Sequence, residues 1–564
     1  MHAHSSSGSI CIVTHSLLGV LSAKGNESHA WQLSHTLADQ GWTVHLLAAS
    51  DDDSELQRTE CRRRFAENGI SLFTMDDFRS NPDVKLDADC LAPIDAVSVQ
   101  IFEALKALNH EHAYDLIQFA ERGGHGFRTV QARRMGSAFD QTKVIVRLQG
   151  SSQWARHANR QWPTGIDEAF SDFYERYLFE HADFQQASSQ SLLDHARSVG
   201  WSVRAEATVL PINMATDSEH VLKAPHHVGS QRSDSTLCDL YAAMISSHDE
   251  SSIASVSLKV APPLVSIAVP YYNMAEFAPD TLASLAAQDY PNLDVMVIND
   301  GSPDARSNQV FEQFKQTYPD FRFLSHKNRG LGATRNRGIA EARGEYFIPV
   351  DSDNIAGPKM VSRFVQAIER NPELTAVACF YRAFQETPDI AAGKIQYVYR
   401  PCGGPFVVSG LRNVYGDANA IFRLDAIRDS GGYELDRDTS YEDWEFFVKL
   451  ACQGHQLDVI PEYLFYYRHR EDSLMRSTDH YLNQYRVMRQ FFDVNNLCRA
   501  EQITLWSTLM GLHEARNNIA PPQAKAKKTT AKRVMDEFQR VARKLSKAGQ
   551  AFSRSPSSDH KRAA

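Results

Sequence analysis

At 564 residues the chain is too long for one hydrophobic core, which implies two or three domains. A hydrophobic fraction of 43%, a charged fraction of 23% and a net charge of −9 describe ordinary globular protein, with no global reason to expect nucleic-acid binding. Eight cysteines without a CxxC pair argue against a disulfide framework or a zinc site and suit a reducing cytoplasm. No apolar stretch approaches the length of a membrane span.

The opening run SICIVTHSLLGVLSA lacks a basic flank, and Thr14, His15 and Ser16 interrupt it, so it reads as a strand and loop rather than a signal peptide. Residues 1–215 form a first block. SICIVTH and WTVHLLAAS flank the helical ESHAWQLSHTLADQG, which ends at Gly41 as a C-cap would. YDLIQFAE, KVIVRLQG, ADFQQASS and ATVLPIN follow as strands, most of them separated by helical stretches. Such alternation predicts a parallel, doubly wound α/β sheet.

Residues 216–262 are rich in Ser, His and Asp and read as a linker; their one helical patch, STLCDLYAAMISS, is expected to pack back on the first block. A second block, 263–480, opens at PPLVSIAVPYYN. Its strands LVSIAVP, LDVMVIND, FRFLSHK and EYFIPVDSD alternate with helices, and polar residues gather at the strand C-termini, where open parallel sheets bind ligands. Residues 481–564 read as a helical extension. Its last part, 521–564, carries twelve Lys/Arg against three Asp/Glu, with Val534, Met535, Phe538, Val541 and Leu545 at helical spacing. Such a stripe either meets an anionic membrane surface or packs on its own protein.

Chemistry concentrates at the strand ends of the second block. Asp351 and Asp353 stand one residue apart in GEYFIPVDSDN. In an extended segment both carboxylates face one side and can share a hard cation, Mg2+ or Mn2+; in a turn they merely end the strand. Asp300, after VMVIN, can accept hydrogen bonds from a nucleobase edge or a ribose. Arg335 and Asn336 fall in the first turns of a predicted helix, where a guanidinium and helix-terminal N–H groups suit a diphosphate. In SYEDWEFFVKLACQG, Ser440 is a candidate N-cap, and an acid at Asp443 suits capping as well as catalysis.

The ordered set VSIAVPYYN, VINDGSPD, NRGLGATRNRGIAEARGEYFIPVDSDN, YEDWEFFVKLACQG and IPEYLFYYRHREDSLMR resembles a family 2 glycosyltransferase over about 264–480. The resemblance implies a GT-A fold, a nucleotide-sugar donor and inverting transfer. It gives Asp300 a nucleoside contact, Asp351 and Asp353 the metal, and Asp443 the role of general base, with Glu442 as the fallback. Pro270 and Tyr272 would line the nucleotide pocket. The chain departs from the family at Asn299 and Asn354, where acids are frequent, and offers His469 as a further metal ligand or Arg470 as a phosphate contact. No QxxRW motif is present, which speaks against a processive membrane-embedded synthase.

The first block resembles the N-terminal half of a family 4, GT-B glycosyltransferase, with Gln149-Gly150 where relatives often have His-Gly. The half that holds the donor in that fold is missing, so the resemblance implies an acceptor-binding or assembly role, with Glu121 to Gly126 the candidate acceptor-binding segment. The expected enzyme moves a sugar onto a glycan or lipid-linked glycan of the cell surface, in the cytoplasm or at the inner face of the membrane, and does not bind nucleic acid. Two other readings stand beside it. One is an inactive glycan-binding module. The other is a sugar nucleotidyltransferase, for which VPYYNMAEFAPD lacks the usual Gly-rich basic loop.

Overall fold

Short apolar runs bounded by glycine and polar turns build two separate sheets. The computed structural model describes residues 8–15, 27–49, 55–79, 90–163, 165–210, 235–247, 261–437, 439–471 and 477–491. The basic stripe at 521–564 and most of the C-terminal extension lie outside the described residues, as does the loop after the first strand.

The first sheet holds β1 (Ser9–Thr14), β2 (Thr43–Ala48), β3 (Ser71–Thr74), β4 (Leu116–Ala120), β5 (Lys143–Leu148), β6 (Phe184–Ala187) and β7 (Thr208–Val209). All pair in parallel in the order β3-β2-β1-β4-β5-β6-β7, the doubly wound arrangement that the alternation predicts. Sequence reading passes over β3, a four-residue strand too short to show a period. The linker patch is a helix, Ser235–Ser246, and buries Leu237, Cys238, Tyr241 and Met244 against one face of this sheet, as expected.

The second sheet contains β8 (Val265–Tyr271), β9 (Leu293–Asn299), β10 (Arg322–Ser325), β11 (Tyr346–Pro349), β12 (Ile355–Ala356), β13 (Leu374–Phe384), β14 (Tyr397–Tyr399), β15 (Ile421–Arg423) and β16 (Gln456–Arg468). Its order is β10-β9-β8-β11-β15-β13-β16-β12, with β14 on β13. The four strands β10, β9, β8 and β11 are parallel; β15 then enters antiparallel to both β11 and β13.

The two sheets are joined through a buried seam. Arg128 reaches Asp95 through two hydrogen bonds of 2.7 and 2.8 Å and also donates to the carbonyls of Pro401, at 2.8 Å, and Arg400, at 3.3 Å. Asp458, on β16, accepts from Gln131 at 2.9 Å, Arg134 at 2.5 Å and Tyr177 at 2.7 Å, all three from the first block. Apolar packing is continuous across the seam: Phe127, Tyr174 and Tyr177 share one buried cluster with Phe380, Cys402 and Val459. Gly404 lies so near Phe173 that a Cβ there would sit 2.6 Å from the ring. A buried charge deprived of its partner is costly, so the Arg134–Asp458 pair ties one half to the other.

Candidate active site

The parallel register brings the C-terminal ends of β9, β8 and β11 side by side, and with them Asp300, Tyr272 and Asp351. Pro270 is buried within β8, while Tyr272, just past its end, is 41% exposed. Asp300 turns its carboxylate into the following loop: its two oxygens accept the backbone N–H groups of Arg329, at 2.7 Å, and Gly330, at 2.9 Å. His326 Nδ1 lies 3.3 Å from the same group.

The expectation of an extended Asp351–Asp353 segment is corrected. β11 stops at Pro349, and Asn354 N–H donates to the Asp351 carbonyl at 3.1 Å, so the pair stands on a tight turn. Asp, Ser and Asn favour that turn, and it follows the strand end directly. The two carboxylates remain neighbours. Burial first, and then the Asp351 charge, push Asp353 up to about 6. Each also has a guanidinium: Arg335 Nη2 lies 2.6 Å from Asp351 Oδ1, and Arg470 Nη1 lies 3.1 Å from Asp353 Oδ2.

Arg335 extends from the helix Leu331–Glu341, is only 1% exposed, and places its other terminal nitrogen 2.6 Å from Glu442 Oε1. It therefore bridges the two acidic motifs. Its neighbour Asn336 is spent on structure, donating to the Tyr433 carbonyl at 2.8 Å and accepting from the Tyr433 N–H at 2.7 Å. His469 packs edge-on against Tyr397, with ring centroids 5.7 Å apart, and it is Arg470 that meets Asp353.

The helix with the candidate base runs from Glu442 to Cys452. Ser440 is not its cap, contrary to expectation. Tyr441 takes that position, with φ of 67°, and the Ser440 hydroxyl is instead hydrogen-bonded to Asn483 at 2.8 Å and Thr478 at 3.1 Å. The left-handed kink at Tyr441 starts the helix one residue later than a Ser440 cap would. Asp443 is therefore in the first turn, where its own Oδ1 accepts from Trp444 N at 2.8 Å. Burial, then the adjacent Glu442 charge, push Asp443 up to about 7, with Arg335 acting the other way. One turn on, Glu445 is held by Arg486 and Arg489, the latter at 2.6 Å, and by Gln490 at 2.9 Å; this fixes the helix from the described part of the C-terminal extension.

Asp417 was missed by sequence reading. It lies just before β15, accepts from Asn419 N at 3.0 Å, and is raised well above the usual carboxylate range by burial and by Asp351 and Asp443. Its signal was Gly416-Asp417 ahead of the apolar ANAIF, which resembles any loop entering a strand. With it, five carboxylates (Asp351, Asp353, Asp417, Glu442, Asp443) act on one another against two guanidiniums, Arg335 and Arg470. That surplus of negative charge fits a divalent cation. Among the described residues no three His, Cys, Asp or Glu side chains are grouped to hold one. Asp351 and Asp353 would thus supply two hard oxygens, leaving the other positions to water and a ligand's phosphates.

Residues 266–430 match the family described as Glycosyl transferase family 2. An uncharacterized glycosyltransferase, EpsJ of Bacillus subtilis (strain 168), is 26% identical over 252 residues, covering 42% of this chain and 72% of that protein. The poly-beta-1,6-N-acetyl-D-glucosamine synthase of Staphylococcus epidermidis is 29% identical over 206 residues, covering 36% of this chain; the alignment spans about half, 48%, of that relative. Among solved structures, S. aureus TarS 1–349 in complex with UDP-GlcNAc aligns at a TM-score of 0.37 and 20% identity, over 45% of this chain and 74% of that one. The chain thus carries a family 2 glycosyltransferase domain and is a glycosyltransferase.

Proposed function

We propose that the protein transfers a sugar from a nucleotide-sugar donor to a hydroxyl of a glycan or lipid-linked glycan, with metal dependence and inversion, in the making of a cell-surface polysaccharide. The observation that carries this reading is the acidic cluster linked by Arg335, which sets Asp351, at the donor side, against Glu442 and Asp443 at the start of a neighbouring helix.

The residues divide the work as follows. Asp443 takes the proton of the acceptor hydroxyl, a task suited to a carboxyl near neutrality. Glu442 and Arg335 set its charge and position. Asp351 and Asp353 would hold Mg2+ or Mn2+, which when bound stabilises charge on the leaving diphosphate. Arg470 joins them as a cation able to follow the phosphates once Asp353 turns elsewhere. Asp300, Pro270 and Tyr272 border the space for the nucleoside at the ends of β9 and β8.

The first sheet, with its seven parallel strands, supports the reading of residues 1–215 as a GT-B-like half that has lost its donor-binding partner. We place the enzyme at the cytoplasmic side; among the described residues no helix is long and apolar enough to cross a membrane. The test is hydrolysis of a nucleotide-sugar panel with and without Mn2+, by wild type and Asp353→Ala. Metal-dependent release of one nucleoside diphosphate, absent in the variant, supports the reading. No donor binding by calorimetry, with or without metal, overturns it.

A further inference from the structure

Arg147, on β5 in the first sheet, is 0% exposed, yet among the described residues its Nε and Nη1 have no hydrogen-bond partner. Only Nη2 is engaged, donating to the Leu210 carbonyl at 2.5 Å. Burial alone drives this guanidinium down to about 10, against smaller opposing effects from Tyr241 and Glu121. Glu121 is already committed: its two oxygens accept the N–H groups of Gln149, at 2.8 Å, and Gly150, at 2.7 Å. A buried guanidinium normally ends on a carboxylate, as Arg128 does on Asp95, because desolvating an unpaired charge is expensive.

The groups around Arg147 share its character. Gln186 is its register partner on β6 and so points to the same face of the sheet. The Gln186 carbonyl oxygen faces Tyr241 Oη at 3.5 Å, and its Nε2 has no partner. Tyr241, from the helix Ser235–Ser246, donates to Gln118 at 2.5 Å; its neutral hydroxyl gives the guanidinium no counter-charge. His29, in the first turn of the helix Glu27–Asp39, is buried, feels the Arg147 charge, and likewise leaves Nε2 without a partner. The unmatched atoms are thus an arginine fork, an amide NH2 and an imidazole nitrogen that donates in its Nε2–H tautomer, beside the unmatched Thr208 hydroxyl on the next strand: donors outnumber acceptors and no anionic group meets them.

Position adds a second argument. The sheet reverses its strand order between β1 and β4, and the crevice at the C-terminal edge beside such a reversal is where open parallel sheets take ligands. Arg147 is one residue from the end of β5, and His29 stands at the N-terminal end of the helix that follows β1, which favours negative charge. Four donor atoms on three elements match the oxygens of a tetrahedral anion better than the two coplanar oxygens of a carboxylate.

We propose that this face of the first sheet holds a phosphoryl group, received by Arg147 Nε and Nη1, Gln186 Nε2 and His29 Nε2. The site is separate from the acidic cluster of the second sheet and does not depend on the transferase reading. The phosphoryl group belongs either to a soluble phosphate ester or to a lipid headgroup; both present the same oxygens.

The experiment uses the full-length protein in EDTA, so that the acidic cluster cannot recruit phosphate through a metal. Inorganic phosphate is titrated by calorimetry, and thermal unfolding is followed with and without it. Wild type is expected to bind, and Arg147→Met to bind about tenfold more weakly or not at all, since a charge-assisted pair of hydrogen bonds is lost. Gln186→Glu guards against a variant that fails to fold. Its carboxylate supplies the missing counter-charge, so the variant is expected to unfold at a higher temperature than phosphate-free wild type and to lose the phosphate response. A response to vesicles of phosphatidylcholine doped with phosphatidic acid, lost in Arg147→Met and absent with inorganic phosphate, assigns the lipid source. Unchanged phosphate binding in either variant, or no response to phosphate and to vesicles alike, overturns the proposal.

Discussion

Arg470 Nη1 lies 3.1 Å from Asp353 Oδ2, so one carboxylate of the proposed metal pair is already neutralised by the chain's own cation. The guanidinium also stacks over Phe277, 4.7 Å from the ring centre, which holds it beside the site when it is not on the carboxylate. A divalent ion and Arg470 therefore compete for Asp353. Arg470→Gln is expected to lower the half-saturating Mn2+ concentration about tenfold, the scale of one unit charge removed at close range. It should raise the KM for donor at the same time, because a phosphate contact is lost. A metal titration of the transfer rate, at fixed and at varied donor, reads both effects.

Arg335 is asked to do more. It is buried between Asp351 and Glu442, and removing it leaves both without a partner in a cluster that already holds excess negative charge. Arg335→Met should cost about 3–5 kcal/mol of stability, as breaking a buried pair does, and lower kcat by two orders of magnitude or about that. Arg335→Lys reaches one carboxylate and should fall between. Urea unfolding alongside kcat separates the two costs.

The acidic limb of the pH–rate profile should report Asp443. The base acts as the carboxylate, and its proton is held up to about 7, so activity is expected to rise with pH and level off above that value. Glu442 is the second cause of that shift after burial, so Glu442→Gln should move the midpoint to lower pH. Stability runs the other way. The folded-state value lies above the 3.8 of an unperturbed Asp, so ionising Asp443 opposes folding, and stability falls as pH rises through this window. Asp443→Asn should therefore abolish transfer yet unfold at a higher temperature than wild type at alkaline pH, and show no such gain in strong acid.

Asp458 tests the seam. It is buried and accepts from three side chains of the first block, and Asp458→Ala leaves Arg134 short of its inner partner. A loss of about 3–5 kcal/mol is expected. Tyr177→Phe removes one neutral donor and should cost about 1–2 kcal/mol. Denaturant unfolding of wild type should show one cooperative step for both sheets; two resolved steps would contradict the seam as a shared core.

How much of this was legible beforehand follows the range of the interaction. Asp351, Asp353, Asp300 and Asp443 announce themselves in short motifs at strand or helix ends, where local chemistry suffices. The parallel strands β8 to β11 could be read from apolar runs, whereas β12 to β16, with their antiparallel entry, lie in a stretch recognisable only by its motifs. Asp417 looks like an ordinary loop acid until the fold sets it against Asp443. Arg335 carries the right chemistry for a diphosphate, and only the approach of Glu442, distant in sequence, shows its guanidinium to be buried between acids. Nor does any local pattern reveal Arg128 and Asp458 as seam residues, since their contacts across it are made by docking two sheets.

β16 begins at Gln456, two residues before the seam contact of Asp458, and ends at Arg468, two residues before Arg470. At about 3.3 Å per residue one strand spans some 40 Å from the junction of the two halves to the donor side of the acidic cluster. The fused half is therefore no cassette to be exchanged among transferases at will. A recombination event that replaced it would have to rebuild the anchorage of the same strand that presents Arg470, and would be selected on catalysis from its first generation.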